Sequence, residues 1–121
     1  MENKKVLVVD DEENIRHLVR SILGSNYIVL EAKDGEEAVS MTRSYKPCLV
    51  LMDILMPKMD GYTACSTIKG DLETRAIPVV MLTAVGYELN KEFAKQVGAD
   101  GYITKPFSPK ELLNIINRWV T

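Results

Sequence analysis

Five residues of this chain have side chains and positions suited to chemistry: Asp10, Asp11, Asp53, Thr83 and Lys105. Each follows a short, mostly apolar run. Val6-Leu7-Val8-Val9 precedes Asp10-Asp11, Leu49-Val50-Leu51-Met52 precedes Asp53, Pro78-Val79-Val80-Met81-Leu82 precedes Thr83, and Gly101-Tyr102-Ile103-Thr104 precedes Lys105. An unbroken apolar run between turn signals reads as a strand buried on both faces. Open α/β sheets place their ligands at the carboxyl ends of such strands, so in a parallel sheet the five side chains would converge on one edge. Three carboxylates there would raise one another's pKa unless compensated. A hard divalent cation removes the conflict, and Mg²⁺ suits a few carboxylates, a backbone carbonyl and several retained waters. Lys105 would offset negative charge and hydrogen-bond a phosphoryl oxygen, and Thr83 offers a hydroxyl donor for a second. Glu12 and Glu13 instead suit the N-terminus of the helix that follows.

The elements between these residues alternate. Ile15, Leu18, Val19, Ile22 and Leu23 share one helical face, and Gly24 is the natural stop. Tyr27-Ile28-Val29-Leu30 reads as a second strand, and Asp34-Gly35 turns the chain into a helix over about residues 36–45. Asp60-Gly61 opens a third helix through Ala64 and Ile68 to Gly70. Gly86 precedes a fourth carrying Leu89, Phe93 and Val97, which Gly98 terminates. Ser108-Pro109-Lys110-Glu111 combines a capping box with proline at the first helical position. The last helix then carries Leu112, Ile115, Ile116 and Trp119 on one stripe. Five strand–helix alternations with short connections imply a parallel sheet covered on both faces by right-handed crossovers. The expected fold is α/β: a flavodoxin-like, doubly wound (βα)5 domain spanning residues 1–121.

Composition excludes several classes. The apolar fraction is 46%, the charged fraction 26% and the net charge −2, which gives no basic excess for nucleic-acid binding. No apolar run approaches the roughly 20 residues of a membrane span, and the four apolar residues after Lys5 are too few for a signal-peptide core. Cys48 and Cys65 lack metal-ligand spacing and read as buried thiols in a reducing compartment. The expected location is cytoplasmic.

Val8-Val9-Asp10-Asp11-Glu12, Asp53-Ile54-Leu55-Met56-Pro57 with Asp60-Gly61, Thr83-Ala84, and Gly98 through Lys105-Pro106-Phe107 resemble the receiver domain of two-component response regulators. The resemblance covers essentially the whole chain and implies a five-stranded sheet of order 2-1-3-4-5. It implies that Asp53 is the phosphoacceptor, taking a phosphoryl group from a phosphohistidine on a sensor histidine kinase or phosphotransfer protein. Asp11 is then a direct Mg²⁺ ligand, Asp10 a ligand or holder of the metal's waters, and the Leu55 carbonyl a third protein ligand beside Asp53, with Mn²⁺ able to substitute. Thr83 and Lys105 would bind the phosphoryl oxygens, and Tyr102 matches the aromatic that moves inward when the threonine is drawn to the phosphate. The Lys105-Pro106 bond is cis in similar proteins. The switching surface would be the fourth helix, fifth strand and fifth helix. Leu55 and Val85 flank the expected path of an attacking water, and two aliphatic side chains there imply slow autodephosphorylation.

Two other chemistries on related architectures fit less well. A phosphatase of the haloacid-dehalogenase type needs a second aspartate two residues after the first, where this chain has Leu55. A flavodoxin-like electron carrier needs a hydroxyl- and glycine-rich loop after the first strand, where Asp10-Asp11-Glu12-Glu13 would repel a phosphate. Residues 103–112 are similar to the receivers of winged-helix transcription factors, which dimerise through charged pairs. Gly101 and Ile115 replace the usual Asp and Arg at two of those positions, so the expected state is a monomer or a phosphorylation-dependent dimer. The sequence ends at Thr121 with the fifth helix, so the output is expected in a downstream target protein or a fused effector domain beyond it.

Overall fold

The computed structural model describes residues 4–84 and 91–120. Five strands, β1 (Lys4–Val9), β2 (Tyr27–Ala32), β3 (Leu49–Asp53), β4 (Val79–Ala84) and β5 (Gly101–Lys105), alternate with five helices. These are α1 (Glu13–Leu23), α2 (Gly35–Tyr45), α3 (Gly61–Gly70), α4 (Lys91–Gln96) and α5 (Pro109–Trp119). Every strand pairing is parallel, and the order is β2-β1-β3-β4-β5, as expected for the flavodoxin-like doubly wound fold. All five residues of β3 are buried, which is why its sequence is unbroken hydrocarbon until Asp53.

Alternation along the strands divides the interior in two. Leu7, Val9, Val50, Met52, Val79 and Met81 pack against Ala38 and Val39 of α2 and Ala64, Cys65 and Ile68 of α3. Val6, Val8, Leu49, Leu51, Val80, Leu82 and Ile103 pack against Val19 and Leu23 of α1 and Leu112 and Ile116 of α5. Continuing the same alternation puts Asp10, Asp53 and Lys105 on the α1–α5 side, whereas Thr83 and Tyr102 fall in register with Met81 on the other side.

Local signals act as their chemistry requires. Gly24 ends α1 at φ 59°, and its amide donates to the Arg20 carbonyl. Asp34 and Asp60 cap α2 and α3 by accepting from the amides of Glu37 and Thr63. Ser108 and Glu111 form the full capping box of α5. Gly61 is required for space: a Cβ there would overlap the Asp53 carbonyl oxygen.

The structure corrects three expectations. The face of α1 that meets the core carries Arg16 with Val19 and Leu23, while Leu18 is exposed. Thr83 and Lys105 lie inside β4 and β5, since the ladder extends through Ala84 and Lys105. Glu12 and Glu13 do stand, exposed, at the N-terminus of α1, and the Asp10 carboxylate accepts the Glu12 amide. Cys65 is buried, but Cys48 is only half-buried. Val85, Gly86, Leu89 and the Phe93 side chain lie outside the described residues.

Candidate functional site

The sheet delivers its acids to one edge by register. Val9 of β1 pairs with Met52 of β3, so the next residues, Asp10 and Asp53, emerge side by side. Asp53 in turn pairs with Leu82, and the end of β5 brings in Lys105. Its Nζ donates to Asp10 Oδ2 at 3.0 Å and to Asp53 Oδ1 at 3.4 Å. One ammonium therefore joins the ends of β1, β3 and β5. The Lys105-Pro106 bond is cis.

Each carboxylate is held differently. Asp10 is fully buried, and its two oxygens accept from the Glu12 amide at 2.9 Å and from Lys105. Asp53 Oδ1 accepts from the Ile54 amide at 3.0 Å and from Lys105, and no hydrogen bond among the described residues engages Oδ2. Asp11 is exposed, and none of the described residues hydrogen-bonds its carboxylate.

Burial and crowding shape the ionisation. Burial, and then the neighbouring Asp10 charge, push the Asp53 carboxyl up to about 6 despite Lys105. Asp10 is also raised, by burial, against the pull of the Glu12 amide and Lys105. For Lys105 burial works against the ammonium, but hydrogen bonding and attraction from Asp10 and Asp53 prevail and raise its pKa.

The residues present fit a divalent cation. One oxygen from each of Asp10, Asp11 and Asp53 lies within 4.8 Å of the others, and an all-oxygen donor set suits Mg²⁺. A cavity of about 190 Å³ opens here, lined by Asp11, Asp53, Leu55, Ala84 and Lys105 among others. At ~30 Å³ per water, it admits a hydrated ion together with a small anionic group. Leu55 is 60% exposed at its mouth.

Thr83 is buried near the end of β4 and pairs with Thr104. Tyr102 pairs with Met81, which places it one diagonal step from Thr83 on the same face, and its side chain is exposed. Asp10, Asp11, Asp53, Lys105 and Leu55 thus meet at one edge, Thr83 and Tyr102 lie on the other face of the sheet, and Val85 lies outside the described residues.

Sequence reasoning missed Arg16 and Glu31. Arg16 is buried, donates to the Asp10 carbonyl and pairs with Glu31 of β2. A signal was available, since Arg16, Val19 and Leu23 follow the i, i+3, i+7 spacing of a buried face. A charged residue in such a stripe needs a buried partner.

Comparison with known proteins agrees with this geometry. Residues 6–117 match the family model described as the response regulator receiver domain, and the chain belongs to that family. It is 43% identical over 111 residues to the alkaline phosphatase synthesis transcriptional regulatory protein PhoP of Bacillus subtilis, covering 91% of this chain and 45% of PhoP. The chain spans less than half the length of the curated relatives it matches. The chemotaxis protein CheY4 of Vibrio cholerae superposes with a TM-score of 0.90 at 32% identity, over 98% of this chain and all of CheY4. The receiver domain of the sensor histidine kinase PA1611 from Pseudomonas aeruginosa matches at a TM-score of 0.88 and 31% identity over 98% of each chain. In that protein a magnesium ion is coordinated in the active-site cleft. As a receiver domain of response regulators, the chain is a signalling domain of two-component phosphorelay systems. No helix among the described residues is long and apolar enough to cross a membrane.

Proposed function

We propose that Asp53 accepts the phosphoryl group, with Lys105 and Thr83 binding its oxygens and with Asp10, Asp11, Asp53 and the Leu55 carbonyl holding Mg²⁺ or, in its place, Mn²⁺. The observation that carries this reading is the Lys105 bridge. An ammonium already shared by Asp10 and Asp53 is placed to contact an anion added to Asp53.

In the transfer, Asp53 attacks phosphorus with Oδ2, the oxygen that none of the described residues hydrogen-bonds. The P–N bond of a phosphohistidine donor breaks, and its electron pair stays with the imidazole. With a pKa of about 6, Asp53 is mostly ionised at neutral pH and so is a competent nucleophile. Lys105 tracks the growing charge on the transferred group, and the Thr83 hydroxyl donates to a second oxygen. Bound Mg²⁺ supplies neutralisation of the carboxylates and of the incoming phosphoryl oxygens.

Phosphorylation adds roughly −1.5 to −2 charges. We read Thr83 and its diagonal neighbour Tyr102 as the route by which that charge reaches the α4-β5-α5 face. The partners in this reading are a sensor histidine kinase or phosphotransfer protein upstream and a target protein or fused effector downstream. Residues 1–121 form one receiver domain, either monomeric or dimeric on phosphorylation. Two unpaired cysteines, Cys48 and Cys65, favour a reducing cytoplasmic setting.

The test is intact-mass spectrometry after incubation with acetyl phosphate and Mg²⁺. One added phosphate is expected on the wild type and none on Asp53→Ala; phosphate on Asp53→Ala would overturn the assignment. The same spectra followed in time read the aspartyl phosphate's lifetime. Exposed, aliphatic Leu55 offers an attacking water no hydrogen bond, so slow decay is expected. Leu55→Asn with Val85→Glu should accelerate it about tenfold, and an unchanged rate would remove these side chains from the account.

A further inference from the structure

We infer that Arg16 is a positioning residue for the metal loop: its guanidinium clamps the peptide between Asp10 and Asp11 and so aims the Asp11 carboxylate at the cavity beside Asp53. The inference rests on the proposed Mg²⁺ site and goes beyond it by assigning a task to a residue that touches neither metal nor phosphate.

Arg16 is 9% exposed, on a helical face that otherwise carries Val19 and Leu23. Its Nη1 donates to the Asp10 carbonyl at 2.7 Å, and its Nε donates to Glu31 Oε1 at 3.0 Å. The second Glu31 oxygen accepts from Arg20. The planar guanidinium can reach both partners with fixed geometry, as a lysine's single ammonium cannot.

The held carbonyl is the informative partner. β1 ends at Val9, and the Asp10 amide still donates to Ala32 of β2 at 3.1 Å, but the Asp10 carbonyl lies past the β1–β3 ladder. Because the peptide group is planar, fixing this oxygen also fixes the amide nitrogen of Asp11 and the direction in which its Cα leaves the loop. Asp11 needs such help. Its carboxylate is exposed and unanchored among the described residues, whereas Asp10 and Asp53 are held by amides and Lys105.

Charge separates Arg16 from Lys105. Lys105 meets carboxylates directly and would be displaced in part by a bound cation. Arg16 meets a carbonyl, and Glu31 balances its charge on the far side, so it orients the loop without competing for the acids. Glu31 answers in kind: burial works against its carboxylate, yet the two arginines draw its pKa below the usual range.

The experiment is calorimetric titration with Mg²⁺ alone, without phosphate donor, on wild type, Arg16→Met and Val19→Ala. Val19→Ala damages the same helix face without touching the loop. Arg16→Met should weaken Mg²⁺ binding about tenfold, the range seen for residues that orient metal ligands, while Val19→Ala stays within about twofold of wild type. In EDTA, hydrogen exchange at the Glu12 amide should speed up in Arg16→Met and not in Val19→Ala. Arg16→Lys, which keeps the charge and the fold but loses the two-partner reach, should weaken binding about threefold, and it decides the matter if Arg16→Met does not fold. Wild-type affinity in a folded Arg16→Met or Arg16→Lys, or an equal loss in Val19→Ala, overturns the inference. A wild type that fails to bind Mg²⁺ overturns the site reading instead.

Discussion

The acid–lysine cluster and the Thr83–Tyr102 corner sit a few residues apart on the same sheet edge, yet they are built on opposite principles. Asp10, Asp53 and Lys105 lie on the α1–α5 side, buried or nearly so and tied to one another and to backbone amides. Burial, joined for Asp53 by the neighbouring Asp10 charge, holds both carboxyl pKa values above the ordinary range. Across the sheet, Thr83 is uncharged and Tyr102 stands 45% exposed. A region tightly bound and electrostatically loaded can respond strongly to one added charge. A region that is uncharged and reaches solvent at Tyr102 can move in answer. In the function proposed above, the first carries the phosphoryl chemistry and the second passes the change on.

Four changes probe that contrast, and the largest effect on stability should come from Lys105→Met. Removing one partner from a buried charge cluster leaves the others uncompensated, which typically costs about 3 kcal/mol or more. Unfolding by urea in EDTA at neutral pH should show a loss of that order. Mg²⁺ should recover much of it by supplying another cation; a loss unaffected by Mg²⁺ would mean the lysine does not stand in for the metal.

Asp53→Asn should act in the opposite sense. The native carboxyl pKa of about 6 lies above the ordinary 3.8, so the folded chain holds this proton more tightly than the unfolded one. Below about pH 4 both states are protonated and the penalty is absent. It develops as pH rises from about 4 to 6 and is complete above that. Near pH 7 in EDTA, Asp53→Asn should therefore be more stable than wild type by on the order of 2 kcal/mol. The advantage should fade on acidification to pH 4. Equal stabilities at both pH values would show that Asp53 is not strained by its neighbours.

The smallest change in stability, about 1 kcal/mol, belongs to Tyr102→Ala, because that residue is uncharged and exposed. Thr83→Ala should still accept phosphate at Asp53. Its fifth strand and fourth helix should respond less to beryllofluoride, a phosphoryl mimic, in NMR spectra. A full response in Thr83→Ala would detach the corner from the chemistry.

Much of this was legible in the sequence because the signals were local. An unbroken apolar run names a doubly buried strand, and Ser108-Pro109-Lys110-Glu111 names a helix start, without reference to the rest of the chain. The acids and the lysine were legible because each terminates such a run. Arg16 was not, since its partners, the Asp10 carbonyl and Glu31, meet it only after β1, α1 and β2 have packed. A periodicity search that counts hydrocarbon alone takes Leu18 into the buried stripe and passes over Arg16. The need for glycine at position 61 was hidden for a similar reason: it answers to the Asp53 carbonyl, eight residues back in sequence and in contact only once α3 has docked.

The two interiors separated by the sheet have a consequence for anyone redesigning this chain. Leu51 and Met52 are adjacent in sequence but face different packing environments, with a layer of hydrogen-bonded backbone between them. Volume changes on the α2–α3 side have no side-chain neighbours in common with changes on the α1–α5 side, so their free energies should add. Each half can then be optimised as a separate library and the best members combined without retesting every pair. Asp10, Asp53 and Lys105 belong to one half and Thr83 and Tyr102 to the other, so in each half it is the positions away from these strand ends that are open to repacking.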